Sequence, residues 1–351
     1  MAAGDPRPPR LLVVGLGLIG GSVALAARER LGAEVCGTDE DPEAVRRAGE
    51  LGIGPPLPGS QDPDIVLVAT PVPALAGAIA AAIEQYPAAA VTDAGSTKSL
   101  LAGAGFGPRY VGGHPLAGAE VAGVGHARAD LFAGSTWFLT PRSDSEGLVL
   151  ERIHRFVAGI GASPVVIDAG EHDRLMSAFS HLPHVLANIL ALRAEQVLAG
   201  DRRPVVGPSF RDATRVAGAN PVIWPGIYAA NRDALLADID AAADALSAVR
   251  ALIERADEDG LAGWQRQAAT ARDALAGTGA GGSESCELRV IVPNRPGVLA
   301  ELALTLARAQ VNIQDLSLVP APDNRSGAVA LWVPRADAGR ARALIDEVAG
   351  R

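Results

Sequence analysis

The chain has 351 residues, 48% of them hydrophobic and 20% charged, which suffices for two or three packed domains and excludes widespread disorder. Its formal net charge of −9 argues against a nucleic-acid partner, because a protein that binds the phosphate backbone needs a basic face. The two cysteines, Cys36 and Cys286, are too few and too far apart for a disulfide scaffold or a cysteine zinc site. This usage fits a reducing cytoplasm.

Two uncharged runs, 11–27 and 65–83, have about the length of a membrane span. Four glycines interrupt the first run and two prolines interrupt the second. Interruptions of this kind are typical of buried parallel strands that lead into turns and helices. We therefore expect no membrane partner and a cytoplasmic location.

Residues 10–168 alternate short apolar runs with helical stretches, which predicts an α/β domain with a Rossmann-type doubly wound sheet, mostly parallel. The carboxyl ends of parallel strands share one edge of the sheet, so residues there are the first candidates for a ligand site. The expected strands are 11–15, 34–39, 65–70, 90–95, 110–113, 135–140 and 163–168.

The strand pattern ends at residue 168. Over 169–276, long stretches rich in Ala and Leu predict an all-helical domain for substrate binding or dimerisation. Residues 277–285 are a linker rich in Gly and Ser. Residues 286–351 follow the order strand, helix, strand, strand, helix, which predicts a small ferredoxin-like α+β domain.

The first expected strand leads directly into GLGLIGG and a helix, the context in which G-x-G-x-x-G binds a dinucleotide. Gly15 permits the turn, Gly17 lets the backbone approach a pyrophosphate, and Gly20 lets helix and strand pack closely. Asp39 ends the second strand, where a carboxylate accepts ribose hydroxyls and repels a 2′-phosphate, which favours NAD. A glycine-rich packing turn without a ligand is the alternative. The predicted contacts are Gly15, Gly17, Leu18, Ile19, Gly20 and Asp39.

Three further strands end in candidate residues at the same predicted edge. Thr70-Pro71 follows the third strand and is expected to line the cofactor crevice. Ser96, which donates and accepts hydrogen bonds, and Lys98, a positive charge, follow the fourth strand in DAGSTK. His114 follows the fifth in GGHPLAG, and a neutral imidazole accepts a proton near neutral pH. A plain turn, a helix N-cap at Ser96 and a structural histidine are the alternatives.

The helical region holds the remaining candidates. His181 and His184 share one helical face if the helix continues through Pro183. We expect them to bind substrate and not a metal, since no cysteine pair or carboxylate cluster accompanies them. Arg211 and Arg215 are four apart, and an arginine fork fits a carboxylate. Surface histidines and a solvated arginine face are the alternatives.

These motifs resemble prephenate dehydrogenases over nearly the whole chain. GLGLIGGS, TPV, DAGSTK, GGHPLAG, SHLPH and FRDATR…NPVIW occur in that family's order and at close to its spacing. The tail, with VPNRPGVLAELA and VNIQDL, is similar to an ACT domain, the ligand-binding regulatory module of many amino-acid enzymes. The resemblance implies NAD-dependent oxidation and decarboxylation of prephenate to 4-hydroxyphenylpyruvate, CO₂ and NADH, on the route to tyrosine.

The resemblance also implies residue roles. His114 matches the family's catalytic histidine, which hydrogen-bonds the ring hydroxyl, and Ser96 matches its partner serine. The histidine-rich helix matches the segment that contains His181 and His184, of which His184 is expected to face substrate. Arg215 matches the arginine that grips a substrate carboxylate.

The resemblance says less about the roles of Arg211, Lys98 and His172. Many members have Lys-Asp where this chain has Arg211-Asp212, which puts the role of Arg211 in doubt. Lys98 joins Arg215 as a candidate anchor for the two substrate carboxylates, or as a source of local positive potential. His172 lies on the histidine-rich helix without a role of its own.

The ACT-like tail implies regulation by an amino acid. Its NRPG loop joins a strand to a helix N-terminus, where free N–H groups receive a carboxylate, and Asn312 is expected to begin the next strand. ACT-like units usually pair, so we expect a homodimer with tyrosine bound between two copies, and phenylalanine is the second candidate ligand. A tail that only aids dimerisation is the alternative. The expected regulatory residues are Asn294, Arg295, Pro296, Gly297 and Asn312.

Three alternative functions stay open. Arogenate dehydrogenase differs only in the substrate side chain. An NAD-dependent dehydrogenase of the 3-hydroxyacid type would have a catalytic lysine on a helix, whereas the single lysine here is in DAGSTK. A nucleotide- and amino-acid-sensing regulator would not need the histidines.

Overall fold

The computed structural model describes residues 7–55, 62–118, 121–198, 206–276, 285–293, 295–321 and 326–349. Its first seven strands are β1 (Arg10–Val14), β2 (Glu34–Thr38), β3 (Ile65–Val68), β4 (Ala90–Asp93), β5 (Tyr110–Pro115), β6 (Thr136–Thr140) and β7 (Ser163–Val166). They form one sheet in the order β2-β1-β3-β4-β5-β6-β7. Every pair is parallel except β5 with β6, so the expected mostly parallel sheet is confirmed.

Helices cover both faces of this sheet, and every residue of β3 and β4 is therefore buried. The run 65–83 accordingly forms a buried strand, a turn and a helix. The helices of this domain are α1 (Leu18–Leu31), α2 (Pro42–Glu50), α3 (Val72–Gln85), α4 (Ser99–Ala102) and α5 (Gly147–Gly159), with a 3₁₀ turn at Val124–His126.

The next region is helical. Its α-helices are α6 (Ala169–Met176), α7 (Leu182–Val197), α8 (Pro208–Thr214), α9 (Trp224–Ala230), α10 (Arg232–Glu254) and α11 (Glu258–Ala276). A π-helical turn, Ser177–His181, joins α6 to α7 without a break. Pro183 would collide with the carbonyl four residues earlier in a regular helix, and the wider π turn at that place relieves the clash.

The joined helix 169–197 is long and apolar enough to cross a membrane by length and composition. Its apolar side chains are largely exposed in the single chain, as are several on the later helices. The exposed residues on or next to α7, α10 and α11 include Ile189, Leu190, Leu192, Val197, Leu198, Leu246, Ile253, Trp264 and Leu275.

The C-terminal domain has the expected element order. It consists of β8 (Ser285–Pro293), α12 (Val298–Arg308), β9 (Asp315–Pro320), β10 (Ser326–Pro334) and α13 (Ala338–Ala349). Its antiparallel sheet has the order β8-β10-β9. Asn312 is exposed and precedes β9, so the expectation that it begins this strand is wrong. Asn294 lies outside the described residues.

This domain packs against α5 of the first domain. A Cβ at Gly147 would contact Leu299 of α12 and Leu318 of β9 at 3.2 and 3.1 Å. The Gly297 N–H donates to the Ser145 carbonyl at 3.2 Å. Gly297 therefore belongs, with Arg295 and Pro296, to a loop that docks on the first domain. We expected its N–H to bind a ligand carboxylate, but the Ser145 carbonyl already accepts it.

Candidate active site

The loop after β1 has the shape that a dinucleotide phosphate needs. Gly15 has a φ of +99°, and a Cβ there would lie 2.7 Å from the Ala69 carbonyl. This close approach occurs between β1 and β3, where the strand order reverses and α/β sheets bind ligands. A Cβ at Gly20 would lie 2.0 Å from the Gly15 oxygen, whereas nothing lies within 4 Å of one at Gly17. Gly17 thus leaves an open approach to the N-terminus of α1, and the residues fit NAD.

Asp39 follows β2 beside this opening. One carboxylate oxygen accepts the Leu16 N–H at 2.6 Å, and the other accepts the Asp41 N–H at 2.9 Å. Two backbone donors therefore fix the carboxylate at the end of the strand. Each oxygen keeps a further lone pair for a ribose hydroxyl.

The other expected cofactor contacts frame the same opening. Leu18 and Ile19 form the first turn of α1, whose N–H groups have no partner within the helix and point toward its N-terminus. Thr70 and Pro71 follow β3, and Pro71 is the N-cap of α3. The Thr70 hydroxyl is buried and has no hydrogen-bond partner among the described residues, as expected of a group that awaits a ligand.

His114 stands near the end of β5 and reaches the start of α6. Its Nδ1 lies 2.8 Å from Nε2 of His172. Nδ1 of His172 in turn lies 2.8 Å from a carboxylate oxygen of Asp173. Burial, followed by the fields of His172 and Lys98, lowers the pKa of His114 well below its ordinary 6.5. The ring is therefore neutral at pH 7 and able to accept a proton.

Lys98 does not face the opening. Its side chain is 1% exposed, and its ammonium bonds to the carboxylate of Asp93, which is fully buried. Asp93 also accepts the Tyr110 hydroxyl at 2.7 Å and the Gly113 N–H at 3.2 Å. The expectation that Lys98 anchors a substrate carboxylate is therefore corrected, because a carboxylate of the protein already occupies the ammonium. Its charge reaches the site as a field that lowers the pKa of His114.

Ser96 lies in the loop between β4 and α4 and is partly buried. Lys98 holds the N-cap position of α4, so the alternative of Ser96 as a helix cap does not apply. The carboxylate of Asp173 accepts the N–H groups of Lys98 and Ser99, each at 2.8 Å. These bonds tie the loop of Ser96 to α6, beside the ring pair that contains His114.

His181 and His184 lie on one helix in different surroundings. His181 is 1% exposed and its Nδ1 lies 3.0 Å from the Asn231 amide, and its contact with substrate stays a prediction. His184 stacks on the Trp224 ring with the centroids 3.6 Å apart. Its Nδ1 lies 2.9 Å from the Ser180 carbonyl, which only accepts hydrogen bonds. Nδ1 therefore carries the hydrogen and Nε2 is the free acceptor.

The two arginines are separated by a change of helix type. Thr214 has a ψ of 3°, which ends α8, and Arg215 begins a 3₁₀ turn. Burial and then the charge of Arg215 lower the pKa of His184, so this guanidinium lies within electrostatic reach of that ring. Arg211 is exposed on α8. The structure therefore places Arg215 beside His184.

Sequence reasoning missed the contribution of Asp173 and gave His172 no role. The adjacent His-Asp pair at the start of a helix was the available signal. Its partner His114 is 58 positions earlier in the chain, and no local pattern reports that contact.

The dinucleotide turn and the neutral imidazole place the protein among Rossmann-type dehydrogenases, which hold a nicotinamide cofactor and a base against one substrate carbon. Residues 23–166 match the family model of the prephenate dehydrogenase nucleotide-binding domain, 168–267 that of the dimerization domain, and 287–350 the ACT domain. The chain belongs to the prephenate dehydrogenase family. This membership confirms the expected fold class, the class of oxidoreductase and the NAD cofactor.

Known relatives agree with this assignment. The chain is 30% identical over 340 residues to the prephenate dehydrogenase of Bacillus subtilis, covering 92% of this chain and 91% of that protein. The structure of A. aeolicus prephenate dehydrogenase with hydroxyphenyl propionate and NAD⁺ has a TM-score of 0.68 and 28% identity, over 78% of this chain and 100% of that one. Synechocystis arogenate dehydrogenase has a TM-score of 0.65 and 27% identity, over 76% and 99%. The arogenate enzyme is thus no closer in fold than the prephenate enzyme.

Proposed function

We propose that the protein catalyses the oxidative decarboxylation of prephenate with NAD, and that His114 is the base. The observation that carries this role is the neutral imidazole of His114 at the carboxyl edge of the sheet. When bound, NAD accepts the hydride from the carbon that bears the ring hydroxyl. His114 takes the hydroxyl proton, and the electrons of the breaking bond to CO₂ complete an aromatic ring. The ring oxygen is then a phenolate, and the proton returns to it to give the phenol of 4-hydroxyphenylpyruvate.

The other residues orient the substrate. Ser96 is assigned to the same hydroxyl, because its loop is tied to α6 beside His114. Arg215 is assigned to a substrate carboxylate, because a guanidinium binds a carboxylate with two parallel hydrogen bonds. His184 and Trp224 stack beside it and offer an aromatic surface against which a substrate ring packs.

The decisive assay follows reduced nicotinamide by absorbance with prephenate and with arogenate, each with NAD and with NADP. We expect the largest kcat/KM with prephenate and NAD. A larger value with arogenate would establish the arogenate alternative. Turnover of neither substrate would contradict the proposal in favour of a different dehydrogenase or a sensing regulator.

The Asp39→Asn variant tests cofactor choice. Asparagine keeps an acceptor oxygen for the Leu16 N–H but removes the charge that repels a 2′-phosphate. We expect the ratio of kcat/KM for NAD over NADP to fall about 10–100-fold, the size of a charged hydrogen bond. Asp41→Asn is the control, since Asp41 caps α2 through the Glu43 N–H and carries the same charge nearby. Equal ratios in the two variants would remove Asp39 from cofactor selection.

The Arg215→Ala variant tests the substrate anchor. Loss of one charge-assisted pair is expected to raise the KM for prephenate about 10–100-fold, with the Kd for NAD unchanged. Arg211→Ala is the matched control, since both arginines are exposed. Its KM is expected to change much less, because it is Arg215 whose charge acts on His184. A loss of NAD affinity in Arg215→Ala would instead place this residue in the cofactor site or in the fold.

The exposed apolar surface of the helical region supports a homodimer. Residues 168–267 match a dimerization-domain family model, and the exposed side chains of α7 and α10 lie within that range. A second copy that covers this surface removes it from water.

Both cysteines are free, which supports the proposed cytoplasmic location.

The C-terminal domain is assigned the role of a tyrosine receptor, on the basis of its ACT family match. Calorimetry on the full chain is expected to show tyrosine binding that weakens in Asn312→Ala, because Asn312 is exposed just before β9 and its amide can both donate and accept hydrogen bonds. Inhibition of NADH formation by tyrosine is expected to weaken in parallel. Unchanged binding and inhibition in the variant would remove Asn312 from the receptor.

A further inference from the structure

The positions of the hydrogen atoms between α6 and β5 follow from which groups there can donate a hydrogen bond and which can only accept one. Burial opposes ionisation of Asp173, but hydrogen bonds from His172 and Ser99 outweigh it and hold its pKa below the usual range. Asp173 is thus a carboxylate, which only accepts hydrogen bonds. Its Oδ1 lies 2.8 Å from Nδ1 of His172, so that nitrogen carries a hydrogen.

His172 is fully buried, and burial outweighs the Asp173 hydrogen bond and lowers the pKa of the ring. A neutral ring with its hydrogen on Nδ1 has a lone pair on Nε2. That lone pair lies 2.8 Å from Nδ1 of His114, which must then donate. His114 is therefore left with its own lone pair on Nε2.

We propose that His172 and Asp173 are positioning residues that hold His114 in the tautomer with hydrogen on Nδ1 and the basic lone pair on Nε2, and that His172 accepts the charge formed in the reaction. The proposal rests on the proposed role of His114 as the base. It adds which nitrogen acts and where the proton goes.

The proton balance is simple. The substrate O–H bond breaks and an N–H bond forms at Nε2 of His114. The hydrogen on Nδ1 of His114 moves to Nε2 of His172, so that His114 is neutral again. The positive charge then resides on His172, whose Nδ1–H lies 2.8 Å from the Asp173 carboxylate. An ion pair inside the protein thus replaces a cation next to the substrate.

The surroundings fix this arrangement. The N–H groups of Lys98 and Ser99 hold the Asp173 carboxylate, so its oxygens cannot turn away from His172. The Phe138 ring meets the His172 ring edge-on, with an interplanar angle of 87°. The Asn231 amide holds the backbone carbonyl of Asp173 at 2.7 Å. A group held on this many sides needs little reorganisation when the charge moves.

The first test is independent of turnover. ¹⁵N NMR of sedimented full-length protein labelled with ¹⁵N-histidine distinguishes protonated from unprotonated ring nitrogens, and the chain has 6 histidines. The His114 signals are assigned by their loss in His114→Asn. We expect hydrogen on Nδ1 and none on Nε2 at pH 7. Hydrogen on Nε2 of His114 would overturn the proposal, whatever the enzyme's activity.

The second test compares two substitutions of His172. In His172→Gln, an amide oxygen takes the place of Nε2 and accepts from His114, but it cannot take up a proton. In His172→Leu both functions are lost. We expect kcat to fall about 10²–10⁴-fold in the Leu variant and at least about tenfold less in the Gln variant, with KM little changed.

A merely structural His172 predicts a different pattern. The two variants would then lose kcat in proportion to their loss in thermal midpoint, and the His114 tautomer would be the same in both. Either that result or a near-normal kcat in His172→Leu would overturn the proposal. Failure of the wild-type chain to reduce NAD with prephenate would instead refute the proposed function, and the tautomer measurement would stand.

Discussion

Replacement of His114 by asparagine is expected to lower kcat for prephenate by about 10²–10⁴, the range for loss of a general base. The asparagine amide lies near the position of Nδ1 and keeps a polar contact to His172, but it offers no basic lone pair. The KM for prephenate is expected to change less, because Arg215, the proposed carboxylate anchor, is unaltered. Steady-state NADH formation measures both constants.

The pH profile of the wild type provides a second readout of the same role. In the proposed mechanism the neutral form of His114 is the active one, so kcat is expected to fall as the pH drops through its pKa. Burial lowers that pKa, and a positive charge on His172, Lys98 or His181 acts in the same direction, so the acid limb is expected below pH 6.5. This limb is expected to disappear in His114→Asn.

His126→Asn is the matched control, since His126 is exposed at the end of a 3₁₀ turn. Its kcat and pH profile are expected to equal those of the wild type. If His114→Asn shows the same near-normal kcat and keeps the acid limb, His114 is not the base.

The Lys98→Met variant is expected to lose about 3–5 kcal/mol of unfolding free energy, the cost of leaving one charge of a buried pair without its partner. Methionine fills a similar volume, so the loss reports charge and not a cavity. Asp93 would remain fully buried with the Tyr110 hydroxyl and backbone N–H groups as its donors. Denaturant titration of the full chain measures the loss.

A second substitution separates charge from packing. Lys98→Met combined with Asp93→Asn is expected to recover part of the loss, because a neutral amide oxygen still accepts the Tyr110 hydroxyl. Arg340→Met is the control for an exposed pair with Asp337, with an expected cost of about 0–1 kcal/mol. A cost for Lys98→Met as small as this control would show that the buried pair contributes no more to stability than an exposed one.

Much of the fold followed from local pattern. The expected strands in the first domain overlap β1 to β7, because strands buried on both faces must be apolar without interruption. The nucleotide-binding turn could also be predicted from the sequence, because the positive φ at Gly15 and the close contact at Gly20 exclude any residue but glycine. The errors in the tail concern the start of β9 and the docked loop, where packing on α5 and not composition decides the outcome.

The sequence by itself determined the element types, the edge of the sheet that carries the site, and the residue types available there, because each depends on neighbours in the chain. Only the tertiary structure decided which polar groups meet. Lys98 turned inward to Asp93, since the carboxylate at the end of β4 is the partner that a buried ammonium needs in place of water. His114 met His172 because α6 packs at the end of β5, and a contact across 58 positions depends on that packing and on nothing local.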